Sequence, residues 1–538
     1  MSRIHLSRIH MSRIPGRTKV SKTVGWALAH QIQSLSLALR FALFAGVAVC
    51  AQLAAPAWAG VIYVRGDAGG AKNGHSWADA YTDLQAGLAA AEWGDEIWVA
   101  QGTYKPTSYG NQYVFFALEA GVGLYGGFAG TETERGQRNW KTNATILSGD
   151  INTAGSATDN SYQVVVGAHL AILDGFTITG GNGGGGMYND NSSPTVTNCT
   201  FSGNTAGGGM YNNSSSPTVS NCTFSGNTAG SGGGMYNTSS SPDVTNCTFS
   251  GNTAGSFGGG MYNGNGSSPG VTNCTFSGNA TGQYDGGGGG MYNTSSSPTV
   301  TNCTFSGNTV SWSGGGMYNT SSSPDVTNCT FSGNTAGGGG GMYNGNGSSP
   351  SVTNCVFNGN TAGGDGGGIS NYASSSPTIT NCTFSGNTAH YGLGGGMFGY
   401  QSSPTVANCI FWDNTAPTGA EIYKGSGTAT FRYCDIRGSG GSGALWNPAL
   451  GADGGGNIMG NPRFVVPATP AGPDGLWRTR DDGLRLQSNS PCIGAADPAL
   501  APQKDILGLA RGAAADIGAY EYFLMPPASA DSAWLLFK

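Results

Sequence analysis

The chain has 538 residues, of which 95 are Gly and only 10% are charged, against roughly 7% Gly and 25% charged residues in an ordinary soluble domain. Gly and Pro together make about 22% of it without a three-residue period, which excludes collagen, and 21 Phe, 22 Tyr and 11 Trp are too many for a disordered polymer. The net charge of -6 is uneven: positions 1–60 hold seven Lys or Arg and no acid, leaving 16 cations against 29 acids, a balance unsuited to nucleic acid or an anionic membrane surface.

The N-terminus reads as an export signal covering residues 1–59. A basic stretch (Arg3, Arg8, Arg13, Arg17, Lys19, Lys22, Arg40) precedes an apolar run at 41–51, and Ala57-Trp58-Ala59 supplies a cleavage site between Ala59 and Gly60. The triplicated Ser-Arg-Ile leaves Met11 as an alternative start. An uncleaved anchor is the other reading, although the apolar run is short for ~30 Å of hydrocarbon. No transmembrane segment is expected in the mature chain, residues 534–537 included.

Residues 60–182 are expected to form a cap and the first turns of a solenoid. Residues 77–92 predict an amphipathic helix with Trp77, Tyr81, Leu84, Leu88 and Ala91 on one face, placed to cover an open end. Strand-rich segments follow at 97–104, 114–128, 146–150 and 162–179.

Residues 183–438 repeat the unit GGGMYN-x-SSSPTVTNCTFSGNTA. Its Cys positions are Cys199, Cys222, Cys247, Cys274, Cys303, Cys329, Cys355, Cys382 and Cys409, with Cys434 as a degenerate tenth, at steps of 23 to 29 residues. A period in the twenties is a solenoid. The Leu framework of leucine-rich repeats is absent and helix formers are few, so the expectation is an all-β parallel β-helix, with residues 439–538 as its C-terminal cap.

In Thr195-Val196-Thr197-Asn198-Cys199-Thr200-Phe201, strict alternation would separate Val196 from Cys199 and Phe201. A bend at Asn198, which tolerates the left-handed conformation, turns all three inward. Ser202-Gly203-Asn204 is then the next corner. A third strand carries Met187 inward and Tyr188 outward, and the Ser/Pro stretch closes the turn as a variable outer loop. At ~4.8 Å per turn, nine turns stack to ~43 Å, and identical residues form ladders.

Each unit also carries FSGN and GGGM, close to F-x-x-N and G-G-A-I. The first falls at Phe201/Asn204, Phe224/Asn227, Phe249/Asn252, Phe276/Asn279, Phe305/Asn308, Phe331/Asn334, Phe357/Asn360, Phe384/Asn387 and Phe411/Asn414. These paired motifs resemble the repeats of chlamydial polymorphic outer-membrane proteins, which implies a β-helical passenger associated with adhesion. The β-barrel translocator of that family has no expected counterpart after Tyr522. The opening GHSWADAYTDLQAGLAAAEWGDEIWVAQGTYKP resembles right-handed β-helix repeat proteins of the pectate-lyase-like kind. LRLQSNSPCIGAADP (484–498) and DIGAYE (516–521) are similar to the choice-of-anchor Q module of bacterial surface proteins, although the stretch after Glu521 carries no sorting motif.

Chemistry-bearing residues are sparse. A pectate-type lyase needs a cationic base, and no Lys or Arg occurs between Lys141 and Lys424. A glycosidase needs two nearby carboxylates, whereas Asp243 and Asp325 sit three turns apart, ~14 Å. Asp150 with Asp174, and Arg432 with Asp435 and Arg437, read as surface or cap-edge groups, and His169 and His390 as structural. Only Asp285 and Asp365 lie in Gly-rich stretches, so no calcium, other metal or cofactor is expected.

Two outer ladders could bind. Tyr188, Tyr211, Tyr236, Tyr262, Tyr292, Tyr318 and Tyr343 form an aromatic stripe suited to sugars or protein, or to simple rung stacking. Thr195/Thr197, Thr299/Thr301 and Thr378/Thr380 resemble ice-binding solenoids, although Asp243, Gly270, Asp325 and Ser351 break the array. The expectation is a secreted or cell-surface, adhesin-like scaffold for polysaccharide or host-surface ligands. Polysaccharide lyase or hydrolase activity is the alternative, and ice binding a minor one. The ladder Cys199 to Cys409 should be buried and unbridged, because an in-register stack at ~4.8 Å resists the ~3.8 Å Cβ spacing of a disulfide. Cys492 should be a lone buried thiol.

Overall fold

The computed structural model describes residues 60–107, 110–282 and 286–523. The expected export signal at residues 1–59, Asp285 and residues 534–537 lie outside the described residues, which begin at Gly60. From Val61 onward the chain winds into a parallel β-helix whose turns build three long sheets of 15, 13 and 12 strands. We name them the Val, Phe and Met sheets after the residue that each repeat turns inward. Every strand lies over its equivalent one turn on: Val196 pairs with Val219, Phe201 with Phe224, and Met187 with Met210.

Corners explain how three short strands fit one turn. Asn198 and its equivalents down to Asn408 adopt φ between 50° and 55°, a left-handed conformation that Asn tolerates better than most L residues. That bend brings Val196, Cys199 and Phe201 into one interior, all essentially inaccessible to solvent. Their ladders, with Met, form a single hydrophobic column running from Val64 to Leu450. The Phe rings lie 4.4–4.8 Å apart and within 4° of parallel. Before each Met, glycine is obligatory: a Cβ on Gly234 would lie 2.5 Å from the Gly260 carbonyl oxygen and 2.7 Å from the Phe249 ring.

Buried polarity is neutral and repetitive. From Asn204 to Asn414, the backbone N–H and the Nδ2 of each Asn donate to Oδ1 of the next, at 3.0–3.1 Å and 2.8–3.0 Å. A second Asn ladder, from Asn189 to Asn371, runs through the Met sheet at 2.8–2.9 Å. Both ladders answer the rule that buried amides need partners.

The first ladder gives the F-x-x-N repeat motif its structural place, inside the solenoid. Asn204, Asn227, Asn252, Asn279, Asn308, Asn334, Asn360, Asn387 and Asn414 are all buried, together with the Phe of each motif. The physical reason is the corner itself: Gly203 and its equivalents take φ near 60°, which turns the following Asn back into the solenoid. There the amide also donates to a Phe-sheet carbonyl of the preceding turn, Asn227 to Phe201 O at 2.9 Å, Asn252 to Phe224 O at 2.9 Å and Asn334 to Phe305 O at 2.9 Å. Asn360 and Asn387 do the same to Phe331 O and Phe357 O at 2.9 and 2.8 Å. The motif holds the turns together and offers no side chain to a ligand.

Three expectations are corrected. The Ser/Pro stretch is a regular third corner, not a variable loop: Ser215 N–H donates to Ser240 Oγ and Ser216 N–H to Ser193 Oγ, each at 2.9 Å, so hydroxyls of neighbouring turns replace missing ladder carbonyls. Length varies instead in the loops that join Phe-sheet strands to Met-sheet strands. The capping helix is also short: α1 spans Leu84–Ala90, started by Asp83, whose carboxylate accepts from Gln85 N–H. Leu84 and Leu88 cover the core end, while Trp77 stays outside the helix in a cluster with Tyr63, Trp98 and Phe128.

The third concerns the C-terminal segment. Leu450 and Trp446 close the axial end, but the chain then folds back along the side. Leu484, Leu486, Cys492, Ala515, Ile517, Ala519 and Tyr520 share a second core with Val356 and Ile410, residues that point outward from the Phe sheet. Corner residues anchor the same segment: Asn354 donates to Lys504 O at 2.6 Å, Asn381 to Asp516 O at 3.1 Å and Asn408 to Asp497 O at 3.0 Å.

Candidate functional site

Binding surface on a solenoid is set by what its sheets turn outward. On the Val sheet these are Thr195, Thr218, Asp243, Gly270, Thr299, Asp325, Ser351, Thr378 and Thr405, exposed at all of them except Gly270. Beside them runs a half-buried column: Thr197, Ser220, Thr245, Thr272, Thr301, Thr327, Thr353 and Thr380. Asp243 and Asp325 are three strands apart in this sheet, so no paired carboxylate forms there.

The tyrosine stripe occupies the outer face of the Met sheet. From Tyr188 to Tyr343 successive rings are stacked 4.6–5.6 Å apart and within 15° of parallel. Their faces are therefore turned to one another, and mainly edges and hydroxyls remain for a ligand. Burial raises these phenols, Tyr292 to about 12. The column skips Ser370; Tyr372 fills the gap, its hydroxyl donating to Asp365 at 2.6 Å.

The remaining charged candidates are dispersed. Asp174 is buried, paired with Arg138, and accepts from Asn198 Nδ2 at 2.8 Å; Asp150 accepts from Gly155 N–H at 3.2 Å. Arg432 pairs with Asp497 at 2.9 Å and Arg437 with Asp413 at 2.5 Å, while Asp435 is buried and accepts from the Cys492 thiol at 3.1 Å. The three cap-edge groups thus serve three different partners. His169 holds Gly121 N–H through its backbone carbonyl, and His390 is exposed beside Tyr391. Among the described residues, no group of three His, Cys, Asp or Glu converges as a cation site.

Two grooves accompany these faces. One of about 940 Å³ overlies the first turns, lined by Arg65, Asp67, Asp83, Tyr104 and Lys105 among others. Three of these groups are engaged: Arg65 pairs with Asp67 at 2.6 Å, Asp83 starts α1, and Tyr104 donates to Ala100 O at 3.0 Å. The other, about 480 Å³, is lined by Asn414, Glu421, Ile422 and Arg437 among others. Burial pushes Glu421 up to about 7. Its Oε2 accepts from Asn414 N–H and Nδ2 at 3.4 and 2.5 Å. Those are the two bonds that a further Asn would accept, so Glu421 terminates the ladder.

The Cys ladder ends in the same way. Each Cys from Cys199 to Cys382 donates its N–H to the next Sγ at 3.3–3.5 Å, and Cys434 N–H meets Asn457 Oδ1 at 3.0 Å. All eleven described Cys are buried and unbridged. Burial lifts Cys222, Cys303, Cys355 and Cys409 well above the ordinary thiol range.

Sequence comparison agrees with this winding. The model of the family described as "Right handed beta helix region" matches residues 138–305 and 290–450, more than half of the chain. The chain belongs to the right-handed β-helix family. No curated protein matches it. Among solved structures it is similar to the pectate lyase Pel9A at 15% identity, covering 87% of this chain and 97% of that one, with a TM-score of 0.39. A rhamnogalacturonan lyase aligns at 10% identity over 80% and 97% of the two chains, TM-score 0.30. The pectin methylesterase from Aspergillus niger aligns at 12% over 74% and 95%, TM-score 0.22.

Proposed function

We propose that this β-helix is a secreted or cell-surface binding scaffold, adhesin-like and non-catalytic, whose ligands are glycans or proteins of other surfaces. The observation that carries the reading is the Val sheet's outer face, where an exposed row of hydroxyls, interrupted at Asp243, Gly270 and Asp325, runs beside a half-buried hydroxyl column that recurs from Thr197 to Thr380. A ligand with its own repeat can engage such a face many times over, so that weak contacts sum by multivalency. The export signal ending at Ala59 and the F-x-x-N and choice-of-anchor resemblances support the same reading. In that light, residues 484–498 and 516–521 act as the buttress that fixes the last turns before any anchor.

The test is a glycan and host-surface binding array on residues 60–538, run beside incubation with acidic polysaccharides. Saturable binding without release of unsaturated or reducing ends is the expected result. Release of such ends with no saturable ligand would replace the scaffold by the lyase or hydrolase alternative.

A further inference from the structure

The loops that join the Phe sheet to the Met sheet vary in length, and in four successive turns they hold an arrangement that the repeat does not require. Trp312 is 56% exposed and Tyr391 92% exposed; unlike the tyrosine stripe, neither is in a ring stack with an equivalent of the neighbouring turn. They belong to the turns of Thr304–Ser306 and Thr383–Ser385, three strands apart in the Phe sheet, hence ~14 Å along the axis. Backbone bonds connect the loops in order: Gly338 N–H donates to Trp312 O, Gly364 N–H to Gly337 O, and Tyr391 N–H to Gly363 O, at 2.9, 2.6 and 3.0 Å.

Between the two aromatic residues the floor is glycine. At Gly363 an added Cβ would meet nothing closer than 3.9 Å, and at Gly338 nothing closer than 3.4 Å, with no left-handed φ at either. Neither backbone nor packing demands glycine at these two positions, so the sequence keeps side chains out of room that they could occupy between the two aromatic residues. Asp365 stands in it as a fixed acceptor, its two oxygens held by Tyr372 hydroxyl at 2.6 Å and Leu393 N–H at 2.9 Å.

We propose that this edge is a binding trough for a neutral, extended glycan, with Trp312 and Tyr391 as stacking platforms at its ends, Gly338 and Gly363 as its floor and Asp365 accepting from a sugar hydroxyl. The C–H face of a sugar ring lies flat on an exposed aromatic face, and two such platforms ~14 Å apart suit a short run of sugar units. Charge selects the class. The loops that build the trough carry no Lys or Arg, and with Asp365 in it a polyuronate would meet like charge. The proposal rests on the scaffold reading and narrows it to one site and one ligand class.

The test is affinity electrophoresis and calorimetry of residues 60–538 with xyloglucan, mixed-linkage β-glucan, galactomannan and dextran, and with polygalacturonate and alginate. At least one neutral polymer should bind and the two acidic ones should not. Trp312→Ala and Tyr391→Ala should each weaken binding about tenfold, and Gly363→Leu, which fills the trough, should do likewise while Gly363→Ala keeps affinity. Unchanged circular dichroism and thermal midpoints would show that the variants fold. Neutral-glycan binding that survives in the Trp312→Ala/Tyr391→Ala double variant would overturn the trough and leave the scaffold standing. So would an array in which the protein binds only proteins or acidic polymers. An array with no ligand would overturn both.

Discussion

The repeat body and the segment that buttresses it satisfy buried polarity in opposite ways. Among the described residues between 183 and 414, every buried polar side chain is Asn, Ser or Thr, and the two Asn ladders pair each amide with the same residue one turn away. The C-terminal segment has no second copy to lean on and uses charge. Arg511 reaches Glu521 at 3.0 Å, Asn354 Oδ1 at 3.1 Å and the carbonyls of Gly518 and Ala519 at 2.9 and 3.1 Å, while Tyr520 donates to buried Asp482 at 2.7 Å. Translation symmetry makes a neutral amide sufficient, because donor and acceptor recur at a fixed offset. A unique contact has no such offset, so stronger, directional charged groups hold it.

The comparison is broken most severely inside the ladder. Asn308→Ala leaves both Asn279 donors, its N–H and its Nδ2, without their acceptor at 3.0 Å, and removes the donor to Phe276 O. At ~1–3 kcal/mol for each stranded buried group, a loss of about 3–6 kcal/mol is expected from denaturant unfolding. Loss should be cooperative along the body, since neighbouring turns share the ladder.

Breaking the buttress should act locally. Arg511→Met removes the cation beside Glu521, which keeps only the N–H groups of Gly512 and Asp516, and unties Asn354, for about 3–5 kcal/mol, but the repeat turns keep their own partners. Limited proteolysis should therefore cut within residues 459–523 while the β-helix body resists. Simultaneous digestion of both would mean that the buttress and the body unfold as one unit.

How much of this is legible in the sequence follows the same division. Where the unit recurs, the inward Val, Cys, Phe and Met and the bend at Asn198 can be placed from spacing alone, because every error would be repeated in each turn. The Ser/Pro corner is not legible, since Ser looks equally at home in a loop and as a substitute acceptor. The side-on course of residues 459–523 has a signal that spacing does not weigh: the outward Thr of T-F-S becomes Val356 and Ile410, and the outward Ser becomes Trp412. The tyrosine stripe can be placed but not the mutual stacking that takes up its faces, and Trp312 and Tyr391 lie in loops where the register lapses.

A milder break lies where the two regimes meet. Glu421 is held at about 7 and Asp435, Asp482 and Asp516 at about 6, each raised by burial. Between the unfolded value near 4 and those values, the folded chain keeps protons that the unfolded chain has released. Stability is therefore greatest below about pH 4 as far as these groups are concerned, and falls as pH rises to about 7. Glu421→Gln keeps an acceptor for Asn414 without a titrating proton. It should flatten that slope and raise stability at pH 8 by about 2 kcal/mol. An unchanged profile would show that Glu421 titrates normally.

The smallest effect separates two roles for the cysteines. As apolar filler alone, Cys303 would be replaced equally well by Ala or Ser, and Ala would be the better guest. As an acceptor, its Sγ receives Cys274 N–H at 3.4 Å, and its thiol also donates to Thr301 O at 3.3 Å. Ala then strands a buried N–H and should lose about 1–2 kcal/mol, while Ser, retaining an acceptor and a donor, should lose less than about 1 kcal/mol. The order Ser above Ala in denaturation midpoint is the decisive reading, and the reverse order would reduce the ladder to packing. Thiol titration of denatured, unreduced protein completes the test. The ladder should titrate as free thiols, because a sulfur that accepts from the N–H below and donates to a carbonyl of its own turn is not oriented to bond another sulfur, and few recovered thiols would overturn that geometry.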